Sequence, residues 1–325
     1  MDNNNNLWIG TDTGELFKCD LYLNSIKKIK NIPYFSNINK AYYDQYGEWW
    51  ISANDNISLY DDSFTLNKDI FLLHWNEEIN EWSYFQNDLA PKISSADITS
   101  ILRSMNNLYV GTNKGLLKYK MNKDEWIFLK DNTLNYYVYS VLKIKDLIYV
   151  ATNKGLKIFS ETNDFIIKKD IISRFDTYAI RDLAVIDNRL YFVADIGLFE
   201  YNLDENHVSK ISDISYSMIV TDSEKNLYVS KKNRLFRINQ NNIDYLANIK
   251  TMKNMCFCNN FIWINNSKYA SVLNLFNNDI VEYDALDGLL SKKIYDIQCD
   301  DDWVWFSTDN GLVLYNWSKY HNNNE

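Results

Sequence analysis

The chain has 325 residues, is 46% hydrophobic, and carries 34 basic against 43 acidic side chains, for a formal net charge of −9. This charge disfavours a nucleic-acid binder, which needs a basic surface, and it equally disfavours an anionic membrane as partner. With 24 Tyr, 16 Phe and 10 Trp but only 2 Pro, the composition is typical of a well-packed, strand-rich protein. Only the ends, 1–6 and 319–325, have the composition of polar tails.

The N-terminal stretch MDNNNNLWIG lacks the basic and apolar regions of a signal peptide, and no window approaches the roughly 18 apolar residues of a membrane span. We therefore expect a soluble, cytoplasmic protein without membrane insertion, provided that Met1 is the native start. Cys19, Cys256, Cys258 and Cys299 do not form a disulfide framework for a chain of this size, so we expect reduced thiols.

In chain order, one hairpin pattern recurs eight times: an apolar run with an aromatic second residue, then a small residue, then in most copies Thr or Ser, then a turn and a second apolar run. The copies occupy 7–18, 49–85, 108–120, 148–160, 190–202, 227–239, 262–275 and 304–316. Their second residues are separated by 42, 59, 40, 42, 37, 35 and 42 residues. Self-similarity at such a period indicates a repeat architecture.

Each hairpin after the first follows another short apolar strand, such as ITSILRS at 98–104, and most precede a fourth, such as EWIFLK at 125–130. A unit of four short antiparallel strands predicts the blade of a β-propeller. An α-solenoid is disfavoured because the apolar runs are short, rich in β-branched and aromatic residues, and broken by turns. A sandwich would leave one face of each strand polar, whereas these strands are apolar on both faces.

The terminal copies leave the blade count open between eight and seven. The chain begins at the second strand of its first copy and ends soon after the third strand of its last. We expect a single all-β propeller domain over 1–325, with eight blades favoured over seven and with terminal blades that are incomplete or shared. The 59-residue spacing places an insertion at 54–69, in the loop between the second and third strands of its blade.

The last copy, DGLLSKKIYDIQCDDDWVWFSTDNGLVLYN, resembles the two-component regulator propeller repeat. Gly288 and Leu289 match its loop, Asp300 its acidic turn, Trp305 to Thr308 its core strand, and Gly311 and Tyr315 its hairpin. The copies at 7, 108 and 148 match nearly as well, whereas those at 227 and 262 are weak. The resemblance implies the fold, and it implies ligand sensing outside the cytoplasm only as a loose expectation, because this sequence has no membrane segment and no kinase region.

Residues for catalysis or metal binding are scarce in the sequence. His74, His207 and His321 form no metal-binding pattern, and no nucleophile elbow or phosphate loop is present. Cys256 and Cys258 lie two apart on one strand face, where buried packing is favoured over a metal or redox pair. The run at 300–302 is interpreted as turn-capping rather than as a cation site. We therefore expect no cofactor and no resident metal.

Loops joining one blade to the next, and those between second and third strands, lie together on one rim of a propeller. Here these loops carry aromatic and charged residues, a composition typical of recognition surfaces. The candidate binding residues are Tyr34, Phe35, Tyr60, Asp61, Asp62, Phe64, Tyr136, Tyr137, Arg174, Phe175 and Tyr178. The competing interpretation is that such aromatic residues fill gaps between blades.

Three functions remain open on the sequence alone. The favoured one is a non-catalytic propeller that binds a protein or peptide partner through this rim. The second is a ligand-sensing propeller, related to the regulator propellers, that takes a small molecule. The third is a lyase or glycan-acting hydrolase in the channel, which would require at least two carboxylates or a cation at the channel mouth with strongly perturbed pKa values.

Overall fold

The computed structural model describes residues 6–10, 16–23, 26–28, 37–53, 70–76, 81–86, 92–129, 136–164, 166–167, 169–239, 242–289, 293–300 and 302–321. Strands dominate this part of the chain, and its two α-helices are a single turn or little more. Neither helix has the length or the apolar character needed to cross a membrane. The predicted insertion at 54–69 lies outside the described residues.

The strands are numbered along the chain. The N-terminal copy forms β1 (Asn6–Gly10), β2 (Leu16–Asp20) and β3 (Ile26–Lys28). Blades 1 to 3 follow, with β4 (Ile38–Tyr43), β5 (Trp49–Ala53), β6 (Ile70–Asn76) and β7 (Glu81–Gln86); β8 (Ile98–Ser104), β9 (Asn107–Thr112), β10 (Gly115–Lys120) and β11 (Glu125–Leu129); and β12 (Val138–Ile144), β13 (Leu147–Thr152) and β14 (Gly155–Ser160).

After helix α1 (Asp170–Ser173), the chain forms the remaining blades. Blades 4 to 7 contain β15 (Ile180–Ile186), β16 (Arg189–Ala194), β17 (Gly197–Asn202) and β18 (His207–Ser212); β19 (Met218–Thr221), β20 (Leu227–Lys231), β21 (Arg234–Asn239) and β22 (Asn242–Asn248); β23 (Asn254–Cys258), β24 (Phe261–Asn265), β25 (Ala270–Asn274) and β26 (Ile280–Tyr283); and β27 (Ile294–Cys299), β28 (Val304–Thr308) and β29 (Gly311–Tyr315). Helix α2 (Trp317–His321) follows β29.

Within each blade, consecutive strands pair antiparallel, so the predicted repeat unit is confirmed. Five blades have four strands, and in blade 3 a single bridge between Phe159 and Ile166 takes the place of the fourth. In blade 7 the described residues form three strands. The first strand of each blade faces the central channel, because these first strands contact one another around the ring.

The hydrophobic core of the described chain is divided into seven clusters, and each cluster joins two neighbouring blades. The cluster between blades 2 and 3, for example, contains Tyr109 and Leu116 from one blade and Ile148 and Phe159 from the other. This arrangement explains why the strands are apolar on both faces, since every blade is covered on each side. Burial of apolar surface between the blades is therefore what holds the ring together.

The expectation of eight blades is wrong, because the structure has seven. Blade 7 packs directly on blade 1: Trp305 lies 5.4 Å from the Trp49 ring, and its Nε1 donates a hydrogen bond to the Ala41 carbonyl at 3.3 Å. The Asn37 N–H adds a bond to the Asp309 carbonyl at 3.1 Å. The hairpin at 7–18 repeats the sequence of a blade, yet β1–β3 form a sheet of their own that pairs with no other strand in the described chain.

The expectation that all four cysteines are reduced is also wrong. Cys258 on β23 and Cys299 on β27 form a disulfide across the interface of blades 6 and 7, with their Cα atoms 6.1 Å apart. Cys19 and Cys256 are free thiols. The pairing could not be predicted from the sequence because the two cysteines are 41 residues apart and meet only when the two blades pack.

Candidate functional site

A ring of seven side chains surrounds the channel, one from each first strand. We call Lys40, Ser100, Ser140, Asp182, Met218, Asn254 and Asp296 the channel ring; all seven line one cavity of about 440 Å³. The ring residues pair with the position of the second strand that the small residue of the repeat occupies, as Ser100 pairs with Gly111 and Ser140 with Ala151. In blade 4 this position holds Val193, which pairs with Asp182. The small residue of the repeat pattern therefore lies beside the channel.

In most first strands, a backbone bulge orients the residue that comes just before the channel-ring residue. In blades 1, 2, 3, 4 and 7 the register of the first strand shifts immediately before the ring residue. A bulge inserts one unpaired residue and redirects its side chain. In blades 3 and 4 the inserted residues are Tyr139 and Arg181, and both line the channel cavity.

Asp296 connects three blades at the ring. Its Oδ1 pairs with the Lys40 ammonium of blade 1 at 2.8 Å and accepts a hydrogen bond from the Asn254 amide of blade 6. Burial raises the pKa of Asp296, and the Lys40 charge acts in the opposite direction. The Asp296 carboxylate thus joins blade 7 to blade 1, where the ring closes, and the Lys40 ammonium balances its charge.

Asp182 is held mainly by neutral hydrogen-bond donors. Its Oδ1 accepts the N–H of Leu183 at 2.9 Å, and its Oδ2 accepts the N–H of Ile219 in blade 5 at 3.1 Å. The Ser140 hydroxyl of blade 3 also hydrogen-bonds to the carboxylate. Burial raises the pKa of Asp182 to about 6, since these neutral partners and the Lys40 charge offset only part of the desolvation.

At the mouth of the channel, two tyrosines in contact and an arginine form a partly exposed cluster. The Tyr137 ring lies 4.7 Å from the Tyr139 ring, and the Arg181 guanidinium lies over Tyr139 at 5.5 Å. Arg181 is held by Asp195, whose Oδ1 accepts from Nε at 3.0 Å and from Nη2 at 2.9 Å. We call Tyr137, Tyr139, Arg181 and Asp195 the mouth cluster.

Tyr178 lies on the same rim, because its backbone is tied to the turn that also anchors Tyr137. The Gly155 N–H donates to the Tyr178 carbonyl at 2.9 Å, and the Asn153 N–H donates to the Tyr137 carbonyl at 3.1 Å. Tyr137 and Tyr178 are 38% and 36% exposed, so both rings reach solvent. Two of the predicted binding residues are therefore brought to one end of the channel.

The other predicted residues have different positions. Tyr136 and Phe175 are buried in the interfaces of blades 2 and 3 and of blades 3 and 4. Arg174 donates to the carbonyl of Val208 on β18 at 3.3 Å, at the outer edge of blade 4. Outside the described residues lie Tyr34, Phe35, Tyr60, Asp61, Asp62 and Phe64, and their binding role stays a prediction.

His74 and Asp300, two residues considered in the sequence, have defined contacts in the structure. His74 stacks on Trp50 with ring centroids 3.9 Å apart and meets Glu48 at 3.1 Å, inside an ion-pair network of blades 1 and 2. Asp300 accepts the N–H groups of Asp302 and Trp303 at 3.0 and 2.7 Å. Its turn-capping role is therefore confirmed.

Buried hydroxyl groups without a hydrogen-bond partner in the described part of the chain also line the cavity. They are the side chains of Thr99 and Ser100 in blade 2, and the Oδ1 of Asn254 in blade 6 shares this property. Unsatisfied buried polar groups are costly in a packed core, whereas a ligand or water in a cavity can satisfy them. Together with two acidic residues, two lysines and one arginine that line the same cavity, they give the channel the capacity to hold a small polar group.

Sequence reasoning missed the channel ring and three of the four residues of the mouth cluster. The signal that could have revealed them is a polar residue two positions after the first apolar residue of the inner strands, as in Ile38-Asn39-Lys40, Ile180-Arg181-Asp182 and Ile294-Tyr295-Asp296. Recognising this signal requires the inner strands to be aligned with one another, since each copy alone resembles an ordinary amphipathic strand.

No protein-family profile and no curated protein matches this chain. Solved structures do match. The extracellular domain of the putative hybrid two component system BT4673 from B. thetaiotaomicron aligns with a TM-score of 0.66 and 13% identity, over 95% of this chain and 46% of that chain. The extracellular domain of the putative hybrid two component system BT3049 from the same organism gives 0.59 and 15%, over 99% and 51%. YCF48 bound to D1 peptide gives 0.59 and 10%, over 97% and 96%.

At such low identities these similarities establish the β-propeller fold and nothing finer. The chain spans about half the length of the two BT domains and nearly all of YCF48. The similar structures therefore include sensing-system and peptide-bound propellers. The cytoplasmic location expected from the sequence is contradicted, because the similar two-component structures are extracellular domains.

Proposed function

We propose that the protein is a non-catalytic recognition propeller that acts outside the cytoplasm and binds a protein or peptide segment across the mouth of its channel. The mouth cluster is the observation that carries this proposal. Tyr139 contacts Tyr137 on one side and Arg181 on the other, and both outer groups reach solvent, so the cluster offers rigid, partly apolar contact area with a polar rim.

Rigidity favours this cluster over the other exposed aromatic residues. Both backbone hydrogen-bonding groups of Tyr137 are engaged by Asn153. The Tyr137 N–H donates to the Asn153 Oδ1 at 2.8 Å, and the Tyr137 carbonyl accepts from the Asn153 N–H. Arg181 is fixed by two bonds to one oxygen of Asp195. A partner that binds here loses less conformational entropy on the propeller side than one that binds to free side chains.

The location outside the cytoplasm is supported by two observations of different kinds. The disulfide between Cys258 and Cys299 belongs to a class of bond that persists in oxidising compartments. Similar structures are extracellular domains. Immunoblotting of fractionated native cells would test the location, and recovery of the protein only with cytoplasmic markers would refute it.

Site-specific photocrosslinking tests the binding proposal. A benzophenone amino acid is placed at Tyr137 or at Tyr178 in the native cell, with Tyr245 as the matched control, since that tyrosine is 56% exposed on the outer strand of blade 5. We expect one discrete crosslinked polypeptide from both rim positions and none from Tyr245. Arg181→Ala should reduce the crosslink. Equal products from all three positions, or none from the rim, would contradict binding at the mouth.

A second candidate function is the sensing of a small polar molecule inside the cavity. The unpartnered hydroxyls of Thr99 and Ser100 favour it, because a ligand with donor and acceptor groups would satisfy both. A thermal-shift screen of neutral sugars and amino acids would test it. A ligand that raises the Tm of the wild-type chain but not of Ser100→Val supports sensing, and a screen without any such ligand argues against it.

Catalysis is not proposed, although two carboxylates of raised pKa face the channel. The oxygens of Asp182 are held by the N–H groups of Leu183 and Ile219, and Asp296 is held by Lys40 and Asn254. A general acid or base needs an oxygen that can reach the substrate. These contacts instead tie neighbouring blades together, which fits a rigid binding scaffold.

A further inference from the structure

Three sulfur atoms meet where blades 6 and 7 pack. Cys256 and Cys258 are two residues apart on β23 and so point to the same face, and Cys299 projects from β27 of the neighbouring blade. The three Sγ atoms all lie within 4.8 Å of one another. The fourth cysteine, Cys19, belongs to β2 of the separate N-terminal sheet.

A disulfide needs two of these sulfurs, so the third requires its own explanation. Cys256 lines the channel cavity beside Asn254 and Asp296, whereas Cys258 is buried in the interface between the blades. Burial raises the pKa of the Cys256 thiol well above its usual range, and the Asp296 charge acts in the same direction. Such a thiol is a poor nucleophile, but a metal ion can displace its proton.

We propose that, after reduction of the disulfide, Cys256, Cys258 and Cys299 bind a single Cu(I) ion as three thiolates. Thiolates select soft cations such as Cu(I). Structural Zn(II) sites in proteins are almost always four-coordinate, and the cluster contains no histidine or carboxylate in the part of the chain that the structure describes. Three sulfur ligands therefore suit Cu(I) better than Zn(II).

The site has an access route. Because Cys256 faces the cavity, an ion can reach the first sulfur through the channel without opening the interface. The other two ligands then lie within the 4.8 Å spacing of the cluster.

Binding of Cu(I) depends on the redox state of the Cys258–Cys299 pair. Reduction breaks the Cys258–Cys299 bond and leaves two thiols. A dithiol supplies both electrons and both protons and becomes a disulfide, whereas a phosphine supplies the two electrons and becomes its oxide, with the two protons and the oxygen coming from water. Cu(I) then binds as the three thiols lose their protons to solvent, so the metal stays in one oxidation state. The oxidised protein has a single free thiol in the cluster and lacks the site.

Anaerobic titration of the full chain with Cu(I) tests the proposal. After reduction by a phosphine and removal of the excess, we expect one equivalent of Cu(I) per chain in native mass spectrometry and a thiolate-to-copper absorption band. The air-oxidised chain should bind none. Bicinchoninate competition should then show that Cys256→Ser weakens binding by more than the roughly 10- to 100-fold that loss of an outer-shell partner costs.

Cys19→Ser is the matched control, because it also removes a buried cysteine but lies outside the cluster. It should bind as the wild type does. The comparison of oxidised and reduced wild-type protein uses one polypeptide, so it remains valid if a cysteine variant folds poorly. Absence of binding to the reduced chain, binding that survives Cys256→Ser, or tighter binding of Zn(II) than of Cu(I) would each overturn the proposal.

Discussion

The hairpins of blades 2 and 3 have nearly the same sequence, LYVGTNKGLLKYK and IYVATNKGLKIFS, and the same turn. In each, a threonine hydroxyl donates to the glycine carbonyl at 2.7 Å, from Thr112 to Gly115 and from Thr152 to Gly155. The same hydroxyls accept the N–H of Lys114 and of Lys154 at 3.0 Å. The recurring threonine of the repeat therefore fixes the turn, and this function is local.

The surroundings of the two hairpins differ. In blade 2, β10 pairs along its length with β11, whereas in blade 3 one bridge and helix α1 replace the outer strand. At one equivalent position blade 2 has Lys118, which is buried and charged, and blade 3 has Ile158, which is buried and apolar. The repeat thus determines the hairpin, but the segments between repeats determine what each hairpin contacts.

The largest expected difference in stability lies between the equivalent residues Lys118 and Ile158. The Lys118 ammonium donates to the Glu161 carbonyl at 2.7 Å and to Asp164 at 2.6 Å, and so joins blade 2 to blade 3. Lys118→Met should lower the free energy of unfolding by about 3 kcal/mol, the low end for a broken buried pair, because Lys120 still binds Asp164. Urea denaturation measures this change.

Ile158→Met is the matched control, since it introduces the same residue at the equivalent site without removing a charge. A swap of similar volume in a core should cost less than about 1.5 kcal/mol. If the two variants lose equal stability, the interaction of Lys118 with blade 3 contributes no more than apolar packing does at Ile158.

The second comparison concerns the glycine of the turn. Gly115 and Gly155 have φ values of +135° and +88°, so alanine is strained at both. A Cβ at Gly115 would meet only Phe128, at 3.8 Å, but one at Gly155 would lie 2.8 Å from the Asp176 Cα and 3.0 Å from the Phe175 carbonyl. Gly155→Ala should therefore cost about 2 kcal/mol more than Gly115→Ala, since backbone atoms must move.

Thermal unfolding of the two alanine variants measures that difference. The larger fall in Tm is expected for Gly155→Ala. Equal shifts in Tm would mean that the backbone around Asp176 moves without loss of stability. The loop after blade 3 would then not be packed firmly against the turn at Gly155.

These comparisons show which parts of the fold could be predicted from the sequence. The strand unit and the propeller could, because periodicity and turn residues act within a copy. The number of blades could not, since the copy at 7–18 has the blade sequence, and the ring closes at seven through the packing of blade 7 on blade 1, as between Trp305 and Trp49. The disulfide likewise depends on how two blades pack.

The candidate site could be predicted in part. The rim position of Tyr137 follows from its loop, but the burial of Tyr136, the adjacent residue, depends on its hydroxyl reaching the Leu129 carbonyl at 3.0 Å. Tyr139 and Arg181 were missed because their orientation comes from bulges, which a single strand pattern does not reveal.

The third prediction concerns Asp182, the channel carboxylate that accepts a hydrogen bond from Ser140 of blade 3. The pKa of Asp182 is raised from 3.8 to about 6, so the folded state binds its proton more tightly than the unfolded state. This contribution to stability is complete below about pH 4 and is lost as the pH rises through 6. From pH 4 to pH 7, the wild type should lose about 2 kcal/mol relative to Asp182→Asn, measured by urea denaturation. Parallel curves for the two proteins would contradict the raised pKa.

The smallest expected effect distinguishes the two serines of the channel ring. Ser140 hydrogen-bonds to Asp182, whereas the Ser100 hydroxyl has no hydrogen-bond partner among the described residues. Ser140→Ala should cost about 1 kcal/mol at pH 7, the typical value of a hydrogen bond, and less at pH 4, where Asp182 is protonated. Ser100→Ala should leave stability unchanged or slightly increased at both pH values, because it removes an unsatisfied buried group. If Ser100→Ala is as costly as Ser140→Ala, the Ser100 hydroxyl has a partner in the cavity. That result would support binding of a small molecule in the channel over a purely structural role of the channel ring.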